Sequence, residues 1–177
     1  ELAYARHFPS VNWLTSYSRY AEMLSDWFTK NVADDMMKLR ANMLRVLREE
    51  NQLLDIVKLV GEDVLPDDQR VTLEIAKLVK EGFLQQNAYH ELDAFMPIKR
   101  QYRMLKVLNK LYEKATACVK KRVPLSKVKD QNLFAKVTMM KYSTEKGDTL
   151  FDNLEKEIET YYDRLERLYE EGAAHEG

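Results

Sequence analysis

Long amphipathic helices dominate the hydrophobic pattern of this chain. Apolar residues recur every three or four positions in four stretches, which run from Met36 to Val60, Val71 to Phe83, Tyr102 to Ala115 and Phe151 to Leu168. This spacing places them on one face of an α-helix. Helices that must each bury an apolar face predict an all-α helical bundle.

Glycine and proline indicate where these helices begin and end. Gly61 stands where a C-terminal glycine cap belongs, and Pro66 is predicted to be the first residue of the next helix. Gly82 should weaken the last turn of that helix by up to about 1 kcal/mol relative to alanine. Pro97 is predicted to start a third long helix, which ends near Arg122 because Pro124 follows shortly after.

The remaining stretches are less regular. Residues 1–31 are rich in aromatic side chains and irregular, and Pro9 with its Ser, Thr and Asn neighbours opposes a long helix before about Tyr17. Residues 125–142 predict one or two short helices, and Asp148 is a predicted N-cap. We therefore expect a bundle of about five to seven helices over residues 32–172. An irregular segment, 1–31, precedes it, and a frayed tail, 173–177, follows it.

Composition agrees with a helical globular domain. The 177 residues are 45% hydrophobic and 32% charged, with only five glycines and four prolines. A net charge of −1 argues against nucleic acid and anionic membrane surfaces as partners. No apolar run approaches the roughly 20 residues of a membrane span. Lone Cys118 suits a reducing cytosol and is predicted to be a small buried hydrophobe. Because the chain starts without Met inside apparently structured sequence, we interpret it as part of a larger protein.

Sequence motifs for catalysis and metal binding are missing. The chain contains no GxxxxGK[ST], GxSxG, CxxC or HExxH sequence, and its three histidines, His7, His90 and His175, are far apart. We therefore expect neither a metal site nor catalysis by this chain alone.

Two basic stretches invite a nucleic-acid interpretation, namely Lys99–Arg103 and Lys120–Arg122. The near-zero net charge and the lack of a recognition motif favour a structural interpretation of both stretches instead. In that interpretation the first stretch is a solvated helix face, and the second balances the dipole at a helix C-terminus.

Two segments carry a resemblance to a known family. FPSVNWLTSYSRY, residues 8–20, resembles the stretch that leaves the nucleotide-binding domain in the catalytic A subunit of archaeal/vacuolar-type rotary ATPases. LLDIVKLVGEDVLPDDQRVTLEIAKLVKEGFLQQNAYHELD, residues 53–93, resembles the C-terminal helical domain of the same subunit. Both are more distantly similar to the catalytic β subunit of F-type ATP synthases. The resemblance covers residues 1 to about 123. After that residue, only the helical spacing of apolar residues is similar.

The resemblance implies one wall of a nucleotide pocket. Phe8 matches the position that stacks on adenine in the family. The FLQQNAY run, residues 83–89, matches the segment that closes the other side of the adenine pocket. Stacking between a base and an aromatic ring contributes about 1–3 kcal/mol. The implied adenine pocket consists of Phe8, Gln86, Asn87, Ala88 and Tyr89.

The resemblance also implies a contact with the central rotor stalk. The loop that follows Gly61 matches the acidic element that transmits torque in the family. The charge of this element comes from Glu62, Asp63, Asp67 and Asp68, and its apolar tip consists of Val64 and Leu65. Its acids at the helix start also have a structural interpretation, because they stabilise the helix dipole. The implied rotor-contact residues are Glu62, Asp63, Val64, Leu65, Pro66, Asp67 and Asp68.

As a member of that family, the chain would belong to an ion-translocating enzyme that hydrolyses or synthesises ATP. The intact subunit would bind ATP or ADP with Mg, and the isolated chain would bind no nucleotide tightly and be inactive. Its partners would be the B subunits and the rotor stalk, in the cytoplasm at the membrane surface, without nucleic acid or membrane insertion. Two other interpretations stay open at this point. One is a stand-alone interaction module that docks a partner on Phe151–Leu168, and the other is a small RNA-binding domain that uses Lys120–Arg122.

Overall fold

The computed structural model describes Asn12 and residues 24–86, 96–143 and 149–175, with side chains as far as Glu171. Within these ranges the chain forms seven α-helices and no strand, which confirms the predicted all-α bundle. Three short turns of other helical types continue or join them, at Glu62–Val64 (3₁₀), Lys80–Leu84 (π) and Met140–Tyr142 (3₁₀). The helices are α1 (Ser25–Asn31), α2 (Met36–Val60), α3 (Asp67–Val79), α4 (Ile98–Lys120), α5 (Leu125–Val128), α6 (Gln131–Met139) and α7 (Thr149–His175).

The ends of the long helices follow the glycine and proline pattern to within two residues, and α4 ends at Lys120 instead of near Arg122. Gly61 caps α2 with a φ of 89°, a conformation that favours glycine, and its N–H donates to Val57 O at 2.9 Å. Pro66 and Pro97 each precede their helix as the N-cap instead of being its first residue. The reason is that both have an extended ψ, 153° and 141°, although proline fixes φ near the helical value.

Both ends of the chain contain more helix than the sequence pattern predicted. Ser25–Asn31, placed in the irregular segment, forms α1, with Asp26 in its first turn and Lys30 in its last, as the helix dipole favours. Helix α7 continues through His175 and thus includes part of the predicted frayed tail. The predicted N-cap Asp148 lies outside the described residues.

Helix α4 occupies the centre of the bundle and packs against α2, α3 and α7. Five of its side chains are fully buried: Val107, Leu108, Leu111, Ala115 and Cys118. Among them lies a buried amide, Asn109, which accepts a hydrogen bond from Asn42 of α2 at 3.0 Å and donates to Leu39 O at 3.1 Å. Because a buried amide without partners is costly, this pairing fixes how α2 and α4 lie against each other.

Helix α7 packs along α4 through the stripe that the sequence suggested for an external partner. Phe151, Ile158 and Tyr162 are at most 1% exposed, whereas Leu168 is 53% exposed. Tyr162 faces the core, and its hydroxyl donates to Val128 O at 2.7 Å. Most of the stripe is therefore buried inside the chain, which removes the surface required by the stand-alone interaction module.

Charged side chains join the same two helices. Arg103 is 15% exposed and contacts Asp152 and Glu155, so the expected solvated face is wrong for this arginine. Lys121 donates to Glu166 and Glu170, at 2.8 Å each. Residues of both basic stretches are thus paired within the fold, which weakens the RNA-binding interpretation. Numbering increases along both helices in successive pairs, so α4 and α7 run parallel, as shown by Arg103–Asp152, Lys110–Glu159, Lys114–Asp163 and Lys121–Glu170.

Gly82 lies where the end of α3 approaches α6. A Cβ atom built on it would stand 3.2 Å from Thr138 Cα and 3.5 Å from the carbonyl oxygens of Thr138 and Val137. Those atoms belong to a helix backbone, which moves less readily than the end of a side chain. The glycine therefore permits close packing, and the expectation that it merely weakens a helix end is incomplete.

We expect Gly82→Ala to lower the free energy of unfolding by about 1–3 kcal/mol, because overpacking outweighs the gain in helix propensity. Chemical denaturation followed by circular dichroism measures this change. Glu81→Ala, an exposed substitution one residue earlier, is the control and should stay within about 0.5 kcal/mol of the parent chain. A stabilised Gly82→Ala variant would show that α6 yields easily at this contact.

Cys118 is fully buried on α4, as predicted, and its thiol donates to Tyr162 O at 3.7 Å. Burial raises the pKa of this thiol from 9.0 to about 11. The folded chain therefore keeps the proton more firmly than the unfolded chain does.

We expect this thiol to stabilise the fold below pH 9 and to lose that contribution between pH 9 and about 11, where only the unfolded chain releases the proton readily. The loss should not exceed about 2.7 kcal/mol, or about 1.36 kcal/mol per pKa unit. Urea denaturation at several pH values measures it as the difference from Cys118→Ala. Parallel pH profiles of the two proteins would contradict the raised pKa.

Candidate functional site

Helix α3 and the π turn after it join two surfaces of different character. The acidic loop Gly61–Pro66 precedes α3, and Gln85 and Gln86 follow the π turn. The helical stretch between them spans about 25 Å at 1.5 Å per residue. Val71, Ile75 and Val79 are at most 2% exposed, so the helix is anchored in the core along its length.

The acidic loop presents Glu62, Asp63 and Val64 to solvent, with Val64 66% exposed. Leu65 is only 7% exposed, so the predicted apolar tip is wrong for this residue. The cause is local, because the chain leaves the 3₁₀ turn in an extended conformation at Leu65, with a ψ of 138°. A side chain at this position turns inward while its neighbour Val64 stays outside.

The end of α2 exposes further apolar side chains that the sequence pattern had assigned to a helical stripe. Ile56, Leu59 and Val60 are 45%, 84% and 54% exposed, and no described residue of α2 after Leu53 is buried. The run LLDIVKLV carries apolar residues on all sides of the helix, and only one side can face a core. This surplus of apolar residues over what one helix face can bury is the sequence signal for the exposed side chains. We call Ile56, Leu59, Val60 and Val64 the tip surface.

Carboxylates lie in the acidic loop and at the start of α3. Asp67 and Asp68 occupy the first turn of α3, as predicted, and Asp67 lies 3.7 Å from Arg70. The Asp68 carbonyl accepts a hydrogen bond from Thr72 at 3.2 Å. Both acids are placed to stabilise the helix dipole, and both keep part of their surface in solvent. The structural and rotor-contact interpretations are therefore compatible.

At its other end, α3 changes into a π turn before the chain becomes extended. The Gln85 N–H donates to Lys80 O at 2.7 Å, five residues back, which is the π pattern. Lys80 itself is paired with Glu50 of α2 at 2.5 Å, and Glu50 is 7% exposed. Isolated π turns are frequent at functional sites. Here the turn determines where Gln86 emerges from the bundle.

Of the predicted adenine-pocket residues, the structure places Gln86, which is exposed at the end of the π turn. Phe8, Asn87, Ala88 and Tyr89 lie outside the described residues, so their mutual arrangement stays a prediction. In the described part of the chain, no three His, Cys, Asp or Glu side chains come together as a metal site. None of the described helices is both long and apolar enough to cross a lipid bilayer.

Comparison with known proteins identifies relatives along almost the whole chain. V-type ATP synthase alpha chain 2 of Clostridium tetani is 49% identical over 170 residues, which cover 96% of this chain and 29% of the relative. The V-type ATP synthase alpha chain of Halothermothrix orenii is 52% identical over 171 residues, again 96% and 29%. The A subunit of the A-type ATP synthase of Methanosarcina barkeri is 42% identical over 161 residues, 89% and 28%. The chain thus spans less than a third of the length of these relatives.

A protein-family description gives the same result. The family described as the C-terminal domain of V and A type ATP synthase matches residues 25–129, from the start of α1 to just after α5. This range includes the acidic loop, α3 and the π turn, and it is more than half of the chain. The chain therefore belongs to the family of C-terminal domains of V and A type ATP synthases.

Proposed function

We propose that this chain is the C-terminal part of the catalytic A subunit of a V/A-type rotary ATP synthase, where it couples nucleotide binding to the rotor. The relatives named above are alpha chains and A subunits of such synthases. The observation that carries the proposal is the anchored helix α3, which connects the tip surface to Gln86. It provides one rigid body with a partner-binding surface at one end and a ligand-binding segment at the other.

The ligand-binding end takes the adenine base. Phe8 and Tyr89 would hold the flat base between two aromatic rings, with Gln86, Asn87 and Ala88 beside it. Stacking of this kind contributes about 1–3 kcal/mol per ring, whereas micromolar affinity requires about 8 kcal/mol. The rest of the affinity must come from the phosphates. Because this chain contains no GxxxxGK[ST] loop, the phosphates and their magnesium ion are bound elsewhere in the intact protein, and the isolated chain is inactive.

The rotor-contacting end combines an apolar centre with an acidic border. The tip surface provides the apolar area, and Glu62 and Asp63 stand beside Val64 in the 3₁₀ turn. The charges favour one orientation of a basic partner surface. The partner is the central rotor stalk. The B subunits border other faces of the catalytic subunit.

Transmission between the ends requires that the helices move together. The Glu50–Lys80 pair ties α2 to the far end of α3, and the core packing of α3 against α2 and α4 extends along its length. Closing of the pocket around a nucleotide would therefore turn the bundle as a unit and displace the tip surface. The complex would couple ATP turnover to ion transport from a position at the cytoplasmic face of the membrane.

Replacing either ring of the adenine pocket, by Phe8→Ala or Tyr89→Ala, should raise the KM for ATP about 5- to 100-fold, since each removes one stacking contact. Steady-state hydrolysis by the assembled complex measures this. Tyr169→Ala, an aromatic substitution on α7 outside the pocket, should leave the KM unchanged. An unchanged KM in both pocket variants would exclude the adenine assignment.

Leu59→Ser combined with Val64→Ser should reduce the number of ions pumped per ATP hydrolysed, because it removes the apolar area that pushes the rotor. Hydrolysis itself should persist. Because both side chains are exposed, the double variant should lose at most about 0.5 kcal/mol of the free energy of unfolding. ATP-driven ion uptake by vesicles containing the complex gives the ratio. Lys58→Ser, on the same exposed turn of α2, is the control. Full coupling in the double variant would count against this rotor contact.

A further inference from the structure

The turn after α6, Met140–Ser143, contacts the chain on both sides of residues 87–95. On one side it reaches Gln85, the last residue before Gln86, and on the other it is held by Arg100 at the start of α4. We call Met140–Ser143 the anchoring turn. It lies far along the chain from the residues that it contacts, and the proposed function gives it no role.

Lys141 is the central side chain of the anchoring turn. It is 3% exposed, and its Nζ donates to the Gln85 carbonyl oxygen at 2.5 Å. The same Nζ lies 4.7 Å from the centre of the Tyr142 ring, within range of a cation–π contact. Burial of an ammonium group is unfavourable unless it is hydrogen-bonded, so a lysine at this depth indicates a need for its donor.

Gln85 is held through both of its backbone groups. Its N–H closes the π turn on Lys80 O at 2.7 Å, and its carbonyl accepts from Lys141. The carbonyls that end a helix have no partner within the helix and require one from outside. Lys141 supplies such a donor to the residue that directly precedes Gln86.

The anchoring turn is itself fixed to other elements. Arg100 Nη2 donates to Met140 O at 3.1 Å and to Ser143 O at 2.8 Å. Just before the anchoring turn, Thr138 of α6 packs closely against Gly82 of the π turn, where a Cβ atom would stand 3.2 Å from Thr138 Cα. A displacement of Gln85 would therefore have to move α6 or the start of α4.

We propose that Lys141 is a positioning residue for the adenine-binding run that begins at Gln86. This proposal rests on the proposed function, since it assigns to residues outside the pocket the task of holding one wall of it. Loss of the Lys141 donor would let Gln85 and Gln86 shift, and the base would lose part of its stacking contact. The phosphate end of the nucleotide is bound elsewhere, so the effect should depend on the base.

The test uses the assembled complex with Lys141→Met, which keeps most of the length of the side chain and removes the donor. We expect the KM for ATP to rise about three- to tenfold, a partial loss of one stacking contact, while kcat changes less than about twofold. The preference for ATP over GTP in kcat/KM should fall in parallel. Lys141→Arg retains a long side chain with a hydrogen-bond donor, so its KM for ATP should stay close to that of the parent complex. Lys136→Met removes an exposed lysine of α6 that pairs with Glu157 and should change neither quantity.

Tyr89→Ala, measured in the same assay, separates the two proposals. If Tyr89→Ala raises the KM but Lys141→Met changes neither KM nor the ATP preference, Lys141 is only structural and the inference is wrong. If Tyr89→Ala has no effect, the adenine pocket is wrong and the role of Lys141 falls with it. Should Lys141→Met fail to assemble, Lys141→Gln decides, because its shorter amide cannot reproduce the contact. An unchanged KM and ATP preference in that variant overturns the inference.

Discussion

Burial of α4 is the constraint on which the other elements depend. It is surrounded by α2, α3 and α7, and its buried face contains one amide, Asn109, among apolar side chains. Asn109 donates to Leu39 O and to Leu105 O and accepts from Asn42. Sliding of α2 along α4 by one turn would preserve much of the apolar contact but would break these hydrogen bonds. Apolar packing therefore provides the stability of the bundle, and the amide specifies its register.

The parallel pairing of α4 and α7 extends this constraint to the C-terminal helix. Successive lysines and arginines of α4 meet acids of α7, and most of these pairs are partly exposed and individually weak. The contact of Arg103 with Glu155 is different, because both side chains are at most 15% exposed. Breaking it would leave a poorly solvated charge. Helix α7 thus supports α4 without forming any part of the proposed coupling elements.

The sequence predicted which residues form helices better than it predicted what covers them. Gly61 and the prolines at 66 and 97 mark helix ends through local backbone preferences, which act wherever the chain folds. Burial depends on neighbours that are distant in sequence. The exposure of Leu59 and the internal contacts of Arg103 both follow from where other helices end or pass. Periodicity identifies the residues that share a face, but it does not show how far along a helix that face is covered.

The π turn has a consequence for insertions and deletions. A π turn accommodates one more residue than an α turn, and each residue advances an α-helix by about 100°. Removing one residue between Lys80 and Leu84 would restore a regular helix and rotate everything after it by about a quarter turn. Gln86 would then leave the bundle from a different side, although every side chain of the adenine-binding run would still be present. The number of residues in this short stretch is therefore under the same constraint as their chemistry.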